Sequence, residues 1–228
     1  LVDALSNAYT ILNIDLLGFG DSSTQSFETL DDQVEAVRRV LSYENANRCI
    51  LMGHSMGGYI AAAYAQKYGA DLRAVGFIHS TASADSESKK ENRIKAINHI
   101  KAYGTDEYFK RFVATLVTTH NLPKLQSQLW EMVSSTKKSS ILSGLNAMRM
   151  RPDYKDVLKT FNKPVLFMRG EEDMHYSENE ITNQVALSTA SQYSVLRGVA
   201  HLGLLGDKTQ TEKEVRKFLV FVDSFYST

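Results

Sequence analysis

Several things are scarce in this chain, and each scarcity excludes something. One cysteine, Cys49, stands alone among 228 residues, so neither an intramolecular disulfide nor a CxxC metal or redox site can form. Charge of one sign is also missing. Lys and Arg number 26, as do Asp and Glu, which removes the electrostatic reason to expect nucleic acid or an anionic membrane as partner. No apolar run approaches the roughly 18 residues that a membrane span needs. No basic stretch followed by an apolar core opens the chain as a signal peptide would, so the expected location is cytoplasmic. The first residue is Leu1 rather than Met, inside an amphipathic segment, and a trimmed start is therefore expected. What is present is ordinary for a globular protein: 43% apolar residues, too many for a disordered chain. At about 150 residues per domain, the length suits one large domain or one core carrying an insertion.

Short β-type runs alternate with helical patterns. Residues 9–16 (YTILNIDL) read as a strand ending near Gly18 and Gly20. Thr29 and Asp32 then form a capping box for a helix whose apolar face is Leu30, Val34, Val37 and Leu41. A strand at 49–53 (CILMG) leads directly into a helix from Met56 to about Tyr68, lined with Gly57, Gly58 and four alanines, and 74–79 (AVGFIH) is a further strand. Between 81 and 161 the strand rhythm stops, and Gly104, Pro123, Gly144 and Pro152 divide that stretch into three or four helices. The alternation resumes with 164–170 (PVLFMRG), a helix boxed by Ser177 and Glu180, a strand at 192–197, and a last helix boxed by Thr211 and Glu214. Alternating β and α units predict a mostly parallel, doubly wound sheet covered on both faces. The expected domains are a core of 1–80 and 162–228 and an inserted helical cap of 81–161.

Gly53-His54-Ser55-Met56-Gly57 is G-x-S-x-G, placed between a strand and a helix. A serine on so tight a turn projects its hydroxyl, while the flanking glycines relieve clashes. The Met56 amide, at a helix N-terminus, is suited to stabilise an oxyanion. Serine is a poor nucleophile until a base takes its proton, and that base needs an orienting acid. Of six histidines, His201 lies in a loop after the last strand, on the same sheet edge as Ser55; His175 is its rival. For the acid, Asp173 in GEED follows the 164–170 strand at a carboxyl end, with Glu172 as fallback, and the chain order Ser, Asp, His suits an α/β sheet. Asp173 and His175 supply too few donors for a metal site, so no metal and no organic cofactor are expected. His79 ends the 74–79 strand within reach of a pocket at that edge. In the cap, Trp130 and Met148, with Tyr108, Phe109 and Phe112, read either as an apolar acyl or alkyl pocket or as the cap's own core.

DLLGFGDSS (15–23), GHSMGG (53–58), GEED (170–173) and VAHLG (199–203), in this order and spacing, resemble the α/β-hydrolase superfamily, in particular its capped esterase, lactonase and haloperoxidase-like branch. The resemblance covers essentially the whole chain. It implies Ser55 as nucleophile, Asp173 as acid, His201 as base, and the 15–23 loop as a structural border of the site. Branches that use Asp as nucleophile do not fit an elbow that carries Ser. One departure stands out. The family has a His-Gly turn upstream of the DLLGFGDSS loop that lends a second oxyanion amide, on a strand between the 9–16 strand and the elbow strand. The fourteen residues before Asp15 hold none, so further upstream sequence with that strand is expected.

The expected activity is hydrolysis of a carboxylic ester, lactone or related small acyl compound through an acyl-enzyme on Ser55. The same three residues could instead serve acyl transfer, perhydrolysis or C–C bond hydrolysis. A non-catalytic small-molecule-binding module on this fold is the alternative of another class.

Overall fold

A computed structural model describes residues 1–227. Four strands form one sheet in the order β1 (Cys49–His54), β2 (Leu72–Ile78), β3 (Val165–Gly170), β4 (Ser191–Leu196), all parallel. Alternate residues point to opposite faces. Val75, Phe77, Val165 and Phe167 join the cluster under α2 (Leu30–Tyr43) and α3 (Met56–Tyr68). Ala74, Ile78, Leu166 and Met168 join the cluster under α11 (Lys208–Phe225), which also takes in α1 (Val2–Leu5) through Leu5. The small residues of α3, from Gly58 to Ala65, are buried and let that helix lie close on the strands.

The helical stretch after β2 holds five helices: α4 (Glu87–Tyr103), α5 (Thr105–Phe112), α6 (Leu122–Ser134), α7 (Lys138–Met150) and α8 (Lys155–Thr160). Gly104 divides α4 from α5 at φ 89° and Pro123 opens α6, but Gly144 lies within α7 and does not break it. The chain returns to β3, then runs through α9 (Glu178–Val185), β4 and the one-turn α10 (Gly203–Gly206) to α11.

Some local expectations hold and others shift. Thr29 and Asp32 make both bonds of their capping box. Ser177 caps α9, but the Glu180 carboxylate pairs with Lys89 instead of turning back. The last helix starts earlier than Thr211. Asp207 is its cap, accepting from the Gln210 amide, while Glu214 is held by Ser194 and Lys217.

Residues 9–16 do not form a strand. A strand needs a ladder, and among the described residues nothing pairs with this segment. Its side chains nevertheless keep a period of two. Tyr9 and Ile11 pack on the α11 side, and Leu12, Ile14 and Leu16 on the α2–α3 side.

The helical stretch is tied to the core by a buried charge. Asp85, with no exposed side-chain surface, receives Arg151 Nη1 at 2.8 Å and also pairs with Arg93. The Arg151 guanidinium lies 3.6 Å from the centre of the Tyr59 ring on α3. Removing one partner of a buried pair leaves the other uncompensated, which costs about 3–5 kcal/mol. Asp85→Ala is accordingly expected to lower the unfolding free energy by about that amount in urea titrations; an unchanged urea midpoint would contradict the role given to this cluster.

Candidate active site

β1 ends at His54 and α3 begins at Met56, so Ser55 alone makes the turn between them. Its backbone sits at φ 50° and ψ −115°, a conformation that costs a non-glycine residue roughly 1–3 kcal/mol. The turn closes only because its neighbours lack side chains. A Cβ on Gly53 would lie 2.0 Å from the Gly57 carbonyl oxygen, and one on Gly58 would lie 2.2 Å from Ser80 Oγ. Gly57, which the sequence pattern singles out, has open space where its own Cβ would be; the second crowded position is Gly58. Two bonds pin the strained residue to the end of β2. The Ser55 amide donates to the Ile78 carbonyl at 3.0 Å, and Ser80 Oγ donates to the Ser55 carbonyl at 2.7 Å. The Met56 amide is the first of α3, where the helix supplies no acceptor and positive potential collects.

Ser55 Oγ lies 2.9 Å from His201 Nε2, and His201 Nδ1 lies 3.0 Å from Asp173 Oδ2. The serine hydroxyl can donate to Nε2 only if the imidazole proton is on Nδ1, where it donates to the carboxylate. Asp173 stands in the loop after β3 and is fully buried at its side chain. The His175 amide donates to its other oxygen, Oδ1, at 2.9 Å. Gly170 lets the two loops meet, since a Cβ there would fall 2.2 Å from the carbonyl oxygens of Val199 and Ala200.

Burial by itself would raise the Asp173 pKa. The donors from His201 and His79, the His201 charge and the His175 amide outweigh it and hold the carboxyl well below the usual carboxylate range. The neighbouring imidazoles move the other way. Burial and the His201 charge push His175 down to about 4 and His54 down to about 3, and burial also lowers His79.

The remaining sequence candidates fall in different places. His175 makes no hydrogen bond to Ser55; its ring lies tilted against the His201 ring, centres 4.5 Å apart, and its Nε2 lies 3.3 Å from Thr115 Oγ1. Glu172 is exposed. His79, expected at a pocket wall, has no exposed side-chain surface and lies on Asp173. Trp130 is exposed on α6 and belongs to none of the apolar clusters among the described residues. Met148 packs between the main core and the cluster of α4, α5 and α7, which makes it interior packing. The helical stretch meets the site elsewhere, through Phe112 and Thr115 on His175 and through the Leu116 carbonyl, which accepts from the Leu202 amide. Two open surface grooves, along α11 and beside the ends of α3 and α8, carry no residue of the site.

One contributor was missed. His54 Nε2 donates to the His201 carbonyl at 2.8 Å, so the elbow anchors the loop that carries the imidazole. Strand parity held the signal, because His54 shares its face of β1 with Ile50 and Met52, which pack on the α11 side.

His79, Asp173 and His201 also bring three metal-type donor atoms together. Both imidazole Nδ1 atoms, however, lie at hydrogen-bond distance from one carboxylate oxygen, and His201 Nε2 is occupied by Ser55. That arrangement spends the donors on one another.

A model of the alpha/beta hydrolase fold family matches residues 1–207. The chain belongs to the α/β-hydrolase family. Among curated proteins it is 32% identical over 113 residues to a 1-acylglycerol-3-phosphate O-acyltransferase of Arabidopsis thaliana, covering 43% of this chain and 27% of that protein. It is also 38% identical over 72 residues to a (lyso)-N-acylphosphatidylethanolamine lipase of Bos taurus, covering 29% and 21%. The chain thus aligns with only about a quarter of the length of these relatives. Among solved structures, a thermophilic esterase from Thermogutta terrifontis superposes with TM-score 0.89 at 23% identity, covering 97% of this chain and 83% of that one. The enol-lactonase from Burkholderia xenovorans LB400 gives 0.86 at 19%, covering 96% and 84%. No helix among the described residues is long and apolar enough to cross a membrane.

The lowered histidines fix the sign of an acid response. Unfolded, His54, His79 and His175 take up protons near pH 6.5; folded, His175 does so only near 4 and His54 only near 3. Below pH 6.5 the unfolded chain therefore binds more protons, and stability falls as pH falls, with a limiting slope of about 1.4 kcal/mol per pH unit each for His54 and His175 and a further contribution of the same sign from His79. Urea midpoints measured at pH 7, 6 and 5 should drop steadily; a flat series would contradict buried neutral imidazoles.

Proposed function

We propose that the protein is a serine hydrolase acting on a carboxylic ester, lactone or related small acyl compound, with residues 81–161 serving as a lid. Ser55 attacks the carbonyl while His201 Nε2 takes its proton. The Met56 amide holds the developing oxyanion, and Asp173 keeps the His201 proton on Nδ1 and stabilises the imidazolium. Water activated by the same imidazole then releases the acid. The unbroken line of hydrogen bonds from Ser55 through His201 to Asp173, on a strained strand-to-helix turn, is the observation that carries this reading. The reaction as written uses only these three side chains, the Met56 amide and water.

Acyl transfer is the second reading. It has the same acyl-enzyme, with an alcohol in place of water, and the acyltransferase named among the curated relatives favours keeping it. Adding a lysophospholipid or simple alcohol during ester turnover separates the two by the fraction of acyl group captured.

A fluorophosphonate probe is expected to label Ser55, and Ser55→Ala to abolish both labelling and ester turnover. His201→Ala should be about as damaging, with losses of several orders of magnitude. His175→Ala should be mild, and Asp173→Asn severe but not complete. kcat/KM should rise with pH through a single limb, because a base must be unprotonated to act. Full activity in His201→Ala, or labelling at a normal rate without it, would contradict a His201-activated serine; inert protein with an intact fold would favour a non-catalytic binding module.

A further inference from the structure

We propose that His79 is a positioning residue for the reaction, a second imidazole N–H fixed on the very carboxylate oxygen that His201 uses. The proposal deepens the serine hydrolase reading and rests on it. His79 Nδ1 lies 3.1 Å from Asp173 Oδ2, and His201 Nδ1 lies 3.0 Å from the same atom. Neither His79 nor Asp173 exposes any side-chain surface, so bulk solvent does not reach that oxygen.

The carboxylate decides which nitrogen of His79 carries the proton, because an ionised oxygen at 3.1 Å from Nδ1 can only accept, whereas backbone amides point at both ring nitrogens. The proton is then on Nδ1, facing the carboxylate. The Gly203 amide, 3.3 Å from Nε2, is the donor that suits a bare Nε2 in that tautomer. The Gly170 amide also approaches Nδ1 at 3.3 Å, but the charged acceptor at 3.1 Å is the stronger partner. Burial keeps the ring neutral, so it donates without adding a charge.

The ring spans two loops. Gly203 follows His201 by two residues, and Gly170 precedes Asp173 by three; His79 touches both. Its place is made for it. A Cβ on Gly203 would lie 2.5 Å from His79 Nε2, so a side chain there would displace the ring. His79 itself sits at φ 46°, a left-handed conformation that is uncommon outside glycine but that histidine takes more readily than most residues.

Its effect on the reaction follows from charge. An N–H on Oδ2 takes up part of the carboxylate's charge and fixes the direction in which the rest faces His201. Without it the carboxylate becomes more basic and holds the His201 proton more tightly. The acid limb of kcat/KM then moves to higher pH. The other groups facing Asp173 and His201 are the His54 and His175 imidazoles and the Tyr176 ring, whose hydroxyl pairs with Tyr59, with the Arg169 and Lys89 cations further out. None of them reaches Asp173 Oδ2 in the hydrogen bonds described.

The test compares wild type, His79→Phe and His79→Asn on an activated acetate ester, with circular dichroism as the check on folding. Asn keeps an N–H near the position of Nδ1; Phe keeps only the ring. His79→Phe is expected to lose about 10–100-fold in kcat, by analogy with losing the outer partner that orients a metal-ligating side chain, with KM little changed and the acid limb moved upward. His79→Asn should recover most of the loss and return the limb. Wild-type kcat and limb in a folded His79→Phe would overturn the proposal. So would equal losses in both variants with the limb unmoved, since that is what a packing role predicts. Should neither variant fold, nitrogen-15 histidine spectra of the wild type decide: a protonated Nδ1 and bare Nε2 on His79 support the assignment, and the opposite tautomer overturns it. Turnover that survives Ser55→Ala would instead mark failure of the underlying hydrolase reading, whatever His79 does.

Discussion

A carboxylate with no exposed side-chain surface is stable only where hydrogen-bond donors replace its water, and the ends of three adjacent strands converge to supply them to Asp173. The loop after β3 carries the carboxylate and its own His175 amide, the end of β2 brings His79, and the loop after β4 brings His201. The neighbouring strand, β1, ends at His54 and leads directly into Ser55. A parallel sheet is what makes this possible, because all four strands deliver their carboxyl ends to one edge. The buried charge thus governs the shape of the loops, and the loops in turn bring the serine and imidazole within 2.9 Å.

Strain and close approach serve the same edge. Ser55 and His79 both hold positive φ at the ends of adjacent strands, and the backbone of each is tied to its neighbours. The Ser55 amide bonds to Ile78, and the His79 amide bonds to the Met168 carbonyl at 2.7 Å. Glycines at 53, 58, 170 and 203 stand where a single Cβ would press on backbone or on a buried side chain. The helical block is fastened through Asp85, Arg93 and Arg151 against Tyr59, and it also touches the site through Phe112 and Thr115 on His175.

The elbow, the four strands as segments and the loops that carry Asp173 and His201 were legible because each depends on local pattern. Short β-rich runs ended in Gly-containing turns, and only one G-x-S-x-G stood between a strand and a helix. Residues 9–16 misled because strand propensity was satisfied while the ladder was not, and pairing is a non-local property. Glu214 misled in a similar way: capping spacing is local, whereas its carboxylate is claimed by Ser194 across the structure. The histidines show the limit most clearly. His201 and His175 could be ranked by loop position. The use of His79 beneath Asp173 and of His54 on the His201 carbonyl depends on how adjacent strand ends meet, which single-residue reasoning does not reach.

The central claim is covalent chemistry at Ser55, and the most direct measurement is to catch the intermediate. Protein quenched in acid during steady turnover of a slowly deacylated ester should gain the mass of one acyl group, and fragmentation should place it on the peptide containing Ser55. An acyl group on another residue, or turnover with no acylated protein at any time, would contradict the account.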